Sequence, residues 1–496
     1  GAQNPLSRGI SRSPPHSGPV LDSSEPGMSI RRLLVLLAIA ALLGLCALAA
    51  CTRQKTARKF GYYAGSDACQ ECHKEHYLGW RATQHPYKLQ EASAATVIGD
   101  FATNNTYEAG GVTTRMSVKD GAYYVETAFG TENALKSFRV KYVIGALWKQ
   151  RYVTEFENGA LMILPVEWNV KLSSWGDYHG LKTQKPGSGK YWSDPGMSYQ
   201  FGCMGCHTTG SHYAYDARQD RFTGTGWTEA GVGCEGCHGP GGLHATADAY
   251  DKRKHIFHPD RLPDKRRAAM ACGYCHTRGK SKDGRHGYPT RGLEKKGDLE
   301  SVRLFEPGDD LLFTFDAGPG LHPDGSSKQH RQQYNDWLQS RHFTAGVMCW
   351  DCHDPHRKDG RHEHAALREK GSALCLRCHT NVASQGIHGI HDVNSCVGCH
   401  MPPLAKSANP FDIHAHTLKV VMPRASIEKG GVDKQPNACT LCHYHEQDKL
   451  EDLQAVVDRI VSEKKKPKPS KRCPQPGKDP GKGEDWDENC GKGNGP

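Results

Sequence analysis

The chain is short of the residues that fill ordinary protein cores. Leu, Ile, Val and Phe make up 83 of 496 residues, and a share of about 17% ordinarily marks chains that bury too little apolar surface to fold alone. Disordered chains of that kind carry high net charge, whereas this one carries +10 at pH 7, so self-repulsion does not explain the shortage. The balance is too weakly basic to call for a nucleic-acid partner, and none is expected. Much of the excess lies in Lys464 to Arg472, which reads as a solvated tail, with an acidic redox partner as the alternative. Long apolar runs are equally scarce, and the clearest, Leu33 to Ala50, lies near the start. Something other than aliphatic side chains must fill the interior.

Cysteine is what the chain has in quantity. Sixteen of its 20 cysteines fall in eight copies of Cys-x-x-Cys-His. These are Cys69, Cys72 and His73; Cys203, Cys206 and His207; Cys234, Cys237 and His238; Cys272, Cys275 and His276. The others are Cys349, Cys352 and His353; Cys375, Cys378 and His379; Cys396, Cys399 and His400; and Cys439, Cys442 and His443. Two thiols at this spacing add to the two vinyl groups of a porphyrin, and the next residue supplies the proximal imidazole. A zinc knuckle or a redox dithiol explains one or two CxxC pairs, but neither requires a histidine after every one. The expected cofactor is haem c, covalently attached in eight copies, and without it no stable core is expected.

Arg31 and Arg32 followed by Leu33 to Ala50 read as a secretory signal over residues 28–50. The run of 18 residues is also long enough for a marginal membrane span. Leu48-Ala49-Ala50-Cys51 resembles a lipoprotein cleavage site, with Cys51 carrying the lipid. The preferred expectation is an exported lipoprotein, periplasmic or on the cell surface; an uncleaved anchor and soluble secretion are the alternatives. Export agrees with haem attachment, which in bacteria takes place outside the cytoplasmic membrane. Residues 1–27 read as a start-site artefact ahead of Met28, which removes His16 from any ligand count.

The fold expected is a mostly irregular and α multihaem cytochrome c fold organised around eight haems, with a small antiparallel β-subdomain near the N-terminus. Residues 51–99 read as linker and first haem segment. Residues 100–170 read as the β-subdomain, because Asp120-Gly121 and Asn158-Gly159 each separate apolar runs, a hairpin signal. Its role is a partner or substrate platform, or a buttress for the first haem. Residues 171–445 form the multihaem core, with a strand candidate at Asp310 to Phe315. Leu450, Leu453, Val456, Val457, Ile460 and Val461 recur at helical spacing, which predicts an amphipathic helix over residues 446–465. The Lys-, Pro- and Gly-rich residues 466–496 are expected to be disordered, with a disulfide between Cys473 and Cys490.

Segments outside the tetrads carry a resemblance. They include Trp80-Arg-Ala-Thr-Gln-His85, Trp148-Lys-Gln-Arg-Tyr152, His238-Gly-Pro-Gly-Gly-Leu-His244, Leu338-Gln-Ser-Arg-His342, His353-Asp-Pro-His356 and His400-Met-Pro-Pro403. Over roughly residues 60 to 445 the chain resembles the exported multihaem c-type cytochromes whose members often carry tetratricopeptide repeats; here one helix and a tail follow the last tetrad. The resemblance implies distal iron ligands at His85, His244, His342, His356 and His416, and more weakly at His179, His322 and either His388 or His391. Histidines outnumber the need and methionines are few, so bis-histidine ligation is the expectation.

The function expected is electron transfer through a chain of bis-histidine haems, in respiratory or extracellular electron transfer. Redox partner proteins, quinol-linked or other cytochromes, are the expected partners, the membrane is reached through Cys51, and a homo-oligomer is left open. The alternative is an oxidoreductase acting at one open haem on a small nitrogen or sulfur oxyanion or a hydroxylamine-type substrate. No catalytic residue is assigned. All eight tetrads end in His rather than the Lys that marks nitrite reductases, and the tyrosine after His443 is Tyr444 alone, unlike hydroxylamine oxidoreductases.

Overall fold

The computed structural model describes residues 61–318, 320–356, 366–380, 382, 388, 396–442 and 444–465. The expected leader, the lipid-carrying Cys51, the Lys-rich tail, His391 and His443 lie outside the described residues. Those described belong to one compact unit that begins at Lys59.

Strands dominate the first part. They are β1 (Leu89–Glu91), β2 (Thr106–Ala109), β3 (Val112–Lys119), β4 (Ala122–Phe129), β5 (Ala134–Arg139), β6 (Tyr142–Ile144), β7 (Lys149–Glu155), β8 (Leu161–Asn169) and β9 (Ser174–Asp177). β2 to β5 form an antiparallel meander, and the others form a five-stranded antiparallel sheet in the order β1-β6-β7-β8-β9. The β3–β4 turn is tight because Asp120 and Gly121 both take positive φ, 53° and 73°, the twist that suits a two-residue hairpin. Inward side chains of both sheets, among them Met116, Val125, Phe138, Val143, Tyr152 and Leu164, share one hydrophobic core. β8 reads Leu-Met-Ile-Leu-Pro-Val and is buried along that whole run, as a strand covered on both faces must be. The strand-bearing region therefore runs from residue 89 to residue 177.

Another four-stranded antiparallel sheet lies outside that region, pairing His212–Asp216 and Arg221–Gly226 with a hairpin of Thr290–Lys296 and Leu299–Leu304. Its hairpin lies in the stretch between the fourth and fifth tetrads. The strand candidate at Asp310 to Phe315 is corrected. Asp310 accepts a hydrogen bond from Leu312 N, so Leu311–Thr314 make one helical turn and the strand is Phe315–Ala317. A side-chain oxygen offered to the next amides starts a helix even where the succeeding residues favour a strand.

Several helices are single turns on the tetrads, among them Met204–His207, Cys234–His238, Cys349–Cys352 and Cys396–His400. The last helix, Leu450–Lys465, begins four residues later than its periodicity predicts. It packs on Pro423–Lys429 through buried Val457 and Gln454, with Gln454 Oε1 accepting from Arg424 N at 2.8 Å. None of the described helices is long and apolar enough to cross a membrane.

Candidate haem cavity and ligand pairs

In the first, fourth, fifth and sixth tetrads the backbone turns so that the two cysteines and the histidine come together. The histidine amide donates to the carbonyl of the first cysteine four residues back, at 2.9 Å in His73 and His353 and 3.0 Å in His276 and His379. One α-turn places residues i, i+3 and i+4 together. All eight tetrads contribute cysteines to a single cavity of about 3970 Å³, well above the roughly 300–1,000 Å³ of an ordinary ligand site. This is the interior that the scarcity of aliphatic residues leaves unfilled. No disulfide joins the sixteen described cysteines, all of which lie in tetrads.

Across the cavity, tetrad histidines face imidazoles from distant parts of the chain. The His73 and His244 rings have centroids 6.2 Å apart and planes 18° from parallel. His238 and His356 stand 6.1 Å apart at 19°, His353 and His416 6.3 Å apart at 24°, and His400 and His388 6.0 Å apart at 19°. His379 and His342 lie 5.9 Å apart but at 63°. Two imidazoles bound through Nε2 to opposite faces of one metal, with bonds of about 2 Å, have centroids about 6 Å apart. The rings are too far apart to touch and fit one metal between them, as haem requires.

The other ring nitrogen is anchored at several positions, which fixes the tautomer that leaves Nε2 for a metal. Nδ1 pairs with a backbone carbonyl in His207 (Lys88, 3.2 Å), His238 (Phe257, 3.1 Å), His244 (Lys252, 2.9 Å) and His416 (His414, 3.0 Å). Nδ1 of His276 faces Gln333 Oε1 at 3.3 Å, and Nδ1 of His85 faces Thr83 Oγ1 at 3.3 Å. Burial is the main cause that lowers the pKa of four rings, to about 4 for His207, His356 and His416 and about 3 for His85. They are therefore neutral at pH 7, the form that ligates a metal.

The remaining sequence candidates divide. His85 is buried within electrostatic reach of His276, the proximal histidine of the fourth tetrad. Of the alternatives His388 and His391, His388 is the one described, against His400. His322 is corrected: its Nε2 is hydrogen-bonded to Leu404 O at 3.0 Å and it does not line the cavity, so it tethers backbone. His76, which sequence reasoning passed over, lies edge-on to His356 at 5.0 Å and to His73 at 6.1 Å. It is three residues beyond His73 on the helix Lys74–Arg81, and that i, i+3 spacing is its one sequence signal.

The second tetrad differs. Among the described residues no imidazole ring is in contact with that of His207. Beside it the sheet delivers polar groups. β7 alternates, so Lys149 and Arg151 share a face while Gln150 is fully buried on the other. A register shift brings Arg151 opposite Glu167, with Arg151 Nε 2.8 Å from Glu167 Oε2 and Lys149 Nζ 3.5 Å from Oε1. The Arg151 guanidinium lies 3.7 Å over the Tyr178 ring, and His179 meets that ring edge-on at 3.9 Å. Burial, Arg151 and Arg278 hold the His179 imidazole down to about 4. Burial and the charges of Arg151, Lys149, Arg331 and Arg278 lower His330 further. Of this group only His179 was a sequence candidate; the others come together only through sheet register.

Comparison with known proteins agrees with this chemistry. Residues 342–384 match the doubled CXXCH motif family and residues 177–239 the family of cytochrome c554 and c-prime. The chain is 24% identical to cytochrome c nitrite reductase subunit NrfA of Nitratidesulfovibrio vulgaris over 30% of its own length and 33% of that protein. It is 23% identical to dissimilatory sulfite reductase MccA of Wolinella succinogenes over 77% of its length and 59% of that protein. The chain thus spans about a third and about three fifths of these two curated relatives. Outer cell wall cytochrome OcwA shares its fold, with a TM-score of 0.56, 21% identity, and coverage of 80% of this chain and 86% of that one.

Proposed function

The chain is a multihaem c-type cytochrome, and on that premise we propose that it is an electron conduit with eight covalently attached haems. Each haem iron supplies one-electron chemistry between its ferric and ferrous states. The tetrad cysteines hold the porphyrins, and the tetrad histidines bind the proximal faces. His244, His356, His416, His342 and His388 close the irons of the first, third, fifth, sixth and seventh tetrads, and His85 that of the fourth. The observation that carries this reading is the set of four nearly parallel imidazole pairs, 6.0 to 6.3 Å apart, along one cavity.

The tetrads also touch in an order that supports conduction. Cysteine sulfurs of different tetrads lie close together at Cys69 and Cys234, Cys206 and Cys275, Cys272 and Cys349, and Cys375 and Cys396. Electrostatic reach links the remaining neighbours, Cys237 with Cys272, Cys378 with Cys352, and Cys442 with Cys399. We read the path as first, third, fourth, fifth, sixth, seventh and eighth tetrad, with the second attached to the fourth as a spur. Electron tunnelling falls off exponentially with distance, so neighbours in this order exchange electrons fastest. Export, anchoring through Cys51, and redox partner proteins as donor and acceptor complete the proposal.

Draining the reduced holoprotein with an oxidant particle too large to enter the cavity tests it. Connected haems all reoxidise, and a fraction left reduced would show a broken path. A second reading, turnover of a small nitrogen or sulfur oxyanion at one haem, is favoured by the cations beside the second tetrad.

A further inference from the structure

Tyr213, His286 and Asp283 do not line the haem cavity, yet they form a buried chain of hydrogen bonds beside the second tetrad. Tyr213 lies on the strand His212–Asp216, and Asp283 and His286 lie between the strands Gly279–Ser281 and Thr290–Lys296. Tyr213 Oη stands 2.5 Å from His286 Nε2, and His286 Nδ1 stands 2.6 Å from Asp283 Oδ2. Asp283 also accepts from Thr290 Oγ1 at 2.6 Å and from His286 N at 3.0 Å. Burial works to raise the Asp283 pKa, but hydrogen bonds from His286 and Thr290 outweigh it and hold the carboxyl well below its ordinary range. An ionised carboxylate only accepts, so His286 Nδ1 carries the proton, Nε2 accepts and Tyr213 donates. Tyr213 is 3% exposed and His286 is fully buried.

Aromatic rings connect this chain to the tetrad on one side and lead away from it on the other. The ring of buried Tyr288 lies 5.1 Å from that of His286, and its hydroxyl donates to Gln200 O at 2.6 Å. A Cβ on Gly205, between Cys203 and Cys206, would stand 2.3 Å from the Tyr288 ring, so that ring lies directly on the tetrad. Outward, Phe222 is 5.5 Å from Tyr213 and 4.7 Å from Tyr215, and Tyr215 Oη donates to Asp220 Oδ1 at 2.9 Å. Tyr199 is also near Cys203 and Cys206, but its hydroxyl is buried without a hydrogen-bond partner. A tyrosine that loses an electron becomes a very strong acid and must release its phenolic proton. In a dry interior only a base already in hydrogen-bond contact can take it. Tyr213 has such a base, and Asp283 is placed to stabilise the imidazolium that forms, the part a carboxylate plays behind a histidine in a hydrolase triad. Tyr199 has no acceptor, and Tyr288 has a peptide carbonyl that cannot hold a proton.

We propose that Tyr213 is a redox-active residue that gives an electron through Tyr288 to the second haem, and its proton to His286, when a hydroperoxide withdraws electrons from that haem. Tyr215 supplies a second electron, its proton passing to Asp220. With two protons from solvent, the two electrons reduce hydrogen peroxide to two waters. Among the described residues no imidazole ring is in contact with that of His207, so a small oxidant can meet this haem. The inference rests on haem being attached at Cys203 and Cys206, and not on conduction through the rest of the chain.

The oxidised holoprotein, with its haem count verified by mass, is mixed with hydrogen peroxide, frozen rapidly and observed by electron paramagnetic resonance. A narrow organic radical should appear, and ring-deuterated tyrosine should collapse its hyperfine structure. Tyr213→Phe, which deletes only a hydroxyl, should abolish the signal, since Tyr215 lies beyond it on the path. His286→Gln, which keeps a hydrogen bond but is not basic, should slow radical formation at least about a hundredfold, the lower range for a positioned base. Tyr199→Phe should leave the signal unchanged. Variants are compared at equal haem count, and a merely structural network would leave the radical in place in all of them. No tyrosine radical in the wild type, an undiminished signal in Tyr213→Phe, or a wild-type rate in His286→Gln overturns the proposal. The protein starts fully oxidised, so the result is independent of whether the conduit drains.

Discussion

Asp336 offers the sharpest perturbation of a ligand pair without touching the ligands. Its carboxylate is 1% exposed and accepts three hydrogen bonds, from Ser327 N (2.9 Å), Ser327 Oγ (2.6 Å) and His416 N (2.8 Å). It therefore fixes the backbone of His416, whose ring stands 6.3 Å from that of His353. In Asp336→Ala the Ser327 hydroxyl still reaches Gln332 O at 3.2 Å, but two backbone amides lose their acceptor. Each buried orphan costs about 1–3 kcal/mol. Part of that is returned because burial already raises the Asp336 pKa, so its carboxylate is costly to keep charged. The net loss is about 2–4 kcal/mol, which weakens closure of the fifth haem about 30- to 800-fold. Low-temperature electron paramagnetic resonance should then show one haem converted from low spin to high spin with the haem count intact. Asp336→Asn, which retains one acceptor oxygen, should fall between. A spectrum of Asp336→Ala identical to the wild type would refute the view that Asp336 positions a ligand.

Glu235 accepts from Ala64 N and Gly65 N, both at 2.8 Å, and from Gly241 N at 2.6 Å; Glu235→Ala should expose the segment before the first tetrad to limited proteolysis, and unchanged cleavage would count against this tether. Lys149 is lowered to about 8 by burial and then by Arg151, against the pull of Glu167 and Asp412. Raising pH through about 8 discharges it while the arginines stay charged, so affinity for nitrite, itself anionic throughout, should be level up to pH 7 and fall severalfold by pH 9. Equal titration curves at pH 7 and 9 would place Lys149 away from the anion. Cys51→Ser should release the protein from membranes, and unchanged retention of the cleaved variant would end the lipoprotein proposal.

What was legible in the sequence is what depends on neighbours along the chain. Cys-x-x-Cys-His is a local turn, so its meaning survives without a fold. Asp120-Gly121 likewise encodes its turn through two residues that tolerate positive φ. The pairing of His73 with His244 or His238 with His356 spans more than a hundred residues, and no periodicity links them; family resemblance supplied the candidates but not the partners. His322 misled because a histidine tethering a carbonyl looks, in sequence, like one aimed at a metal. Arg151 and Glu167 meet only because of a register shift between β7 and β8, which the residues do not announce. The hairpin Thr290–Lys296 with Leu299–Leu304 escaped because charged residues such as Glu294, Lys295 and Lys296 obscure its alternation.

The central claim is that imidazoles from distant parts of the chain close the irons of the tetrads. The interplanar angles give it a spectroscopic form, because ligand planes near parallel yield rhombic low-spin signals and planes far from parallel yield strongly axial ones. Low-temperature electron paramagnetic resonance of the oxidised holoprotein, without added anion, should resolve four rhombic low-spin haems from the pairs at 18° to 24° and a more axial one from His342 and His379 at 63°. Predominantly high-spin haem in a protein carrying all its cofactors would contradict the account.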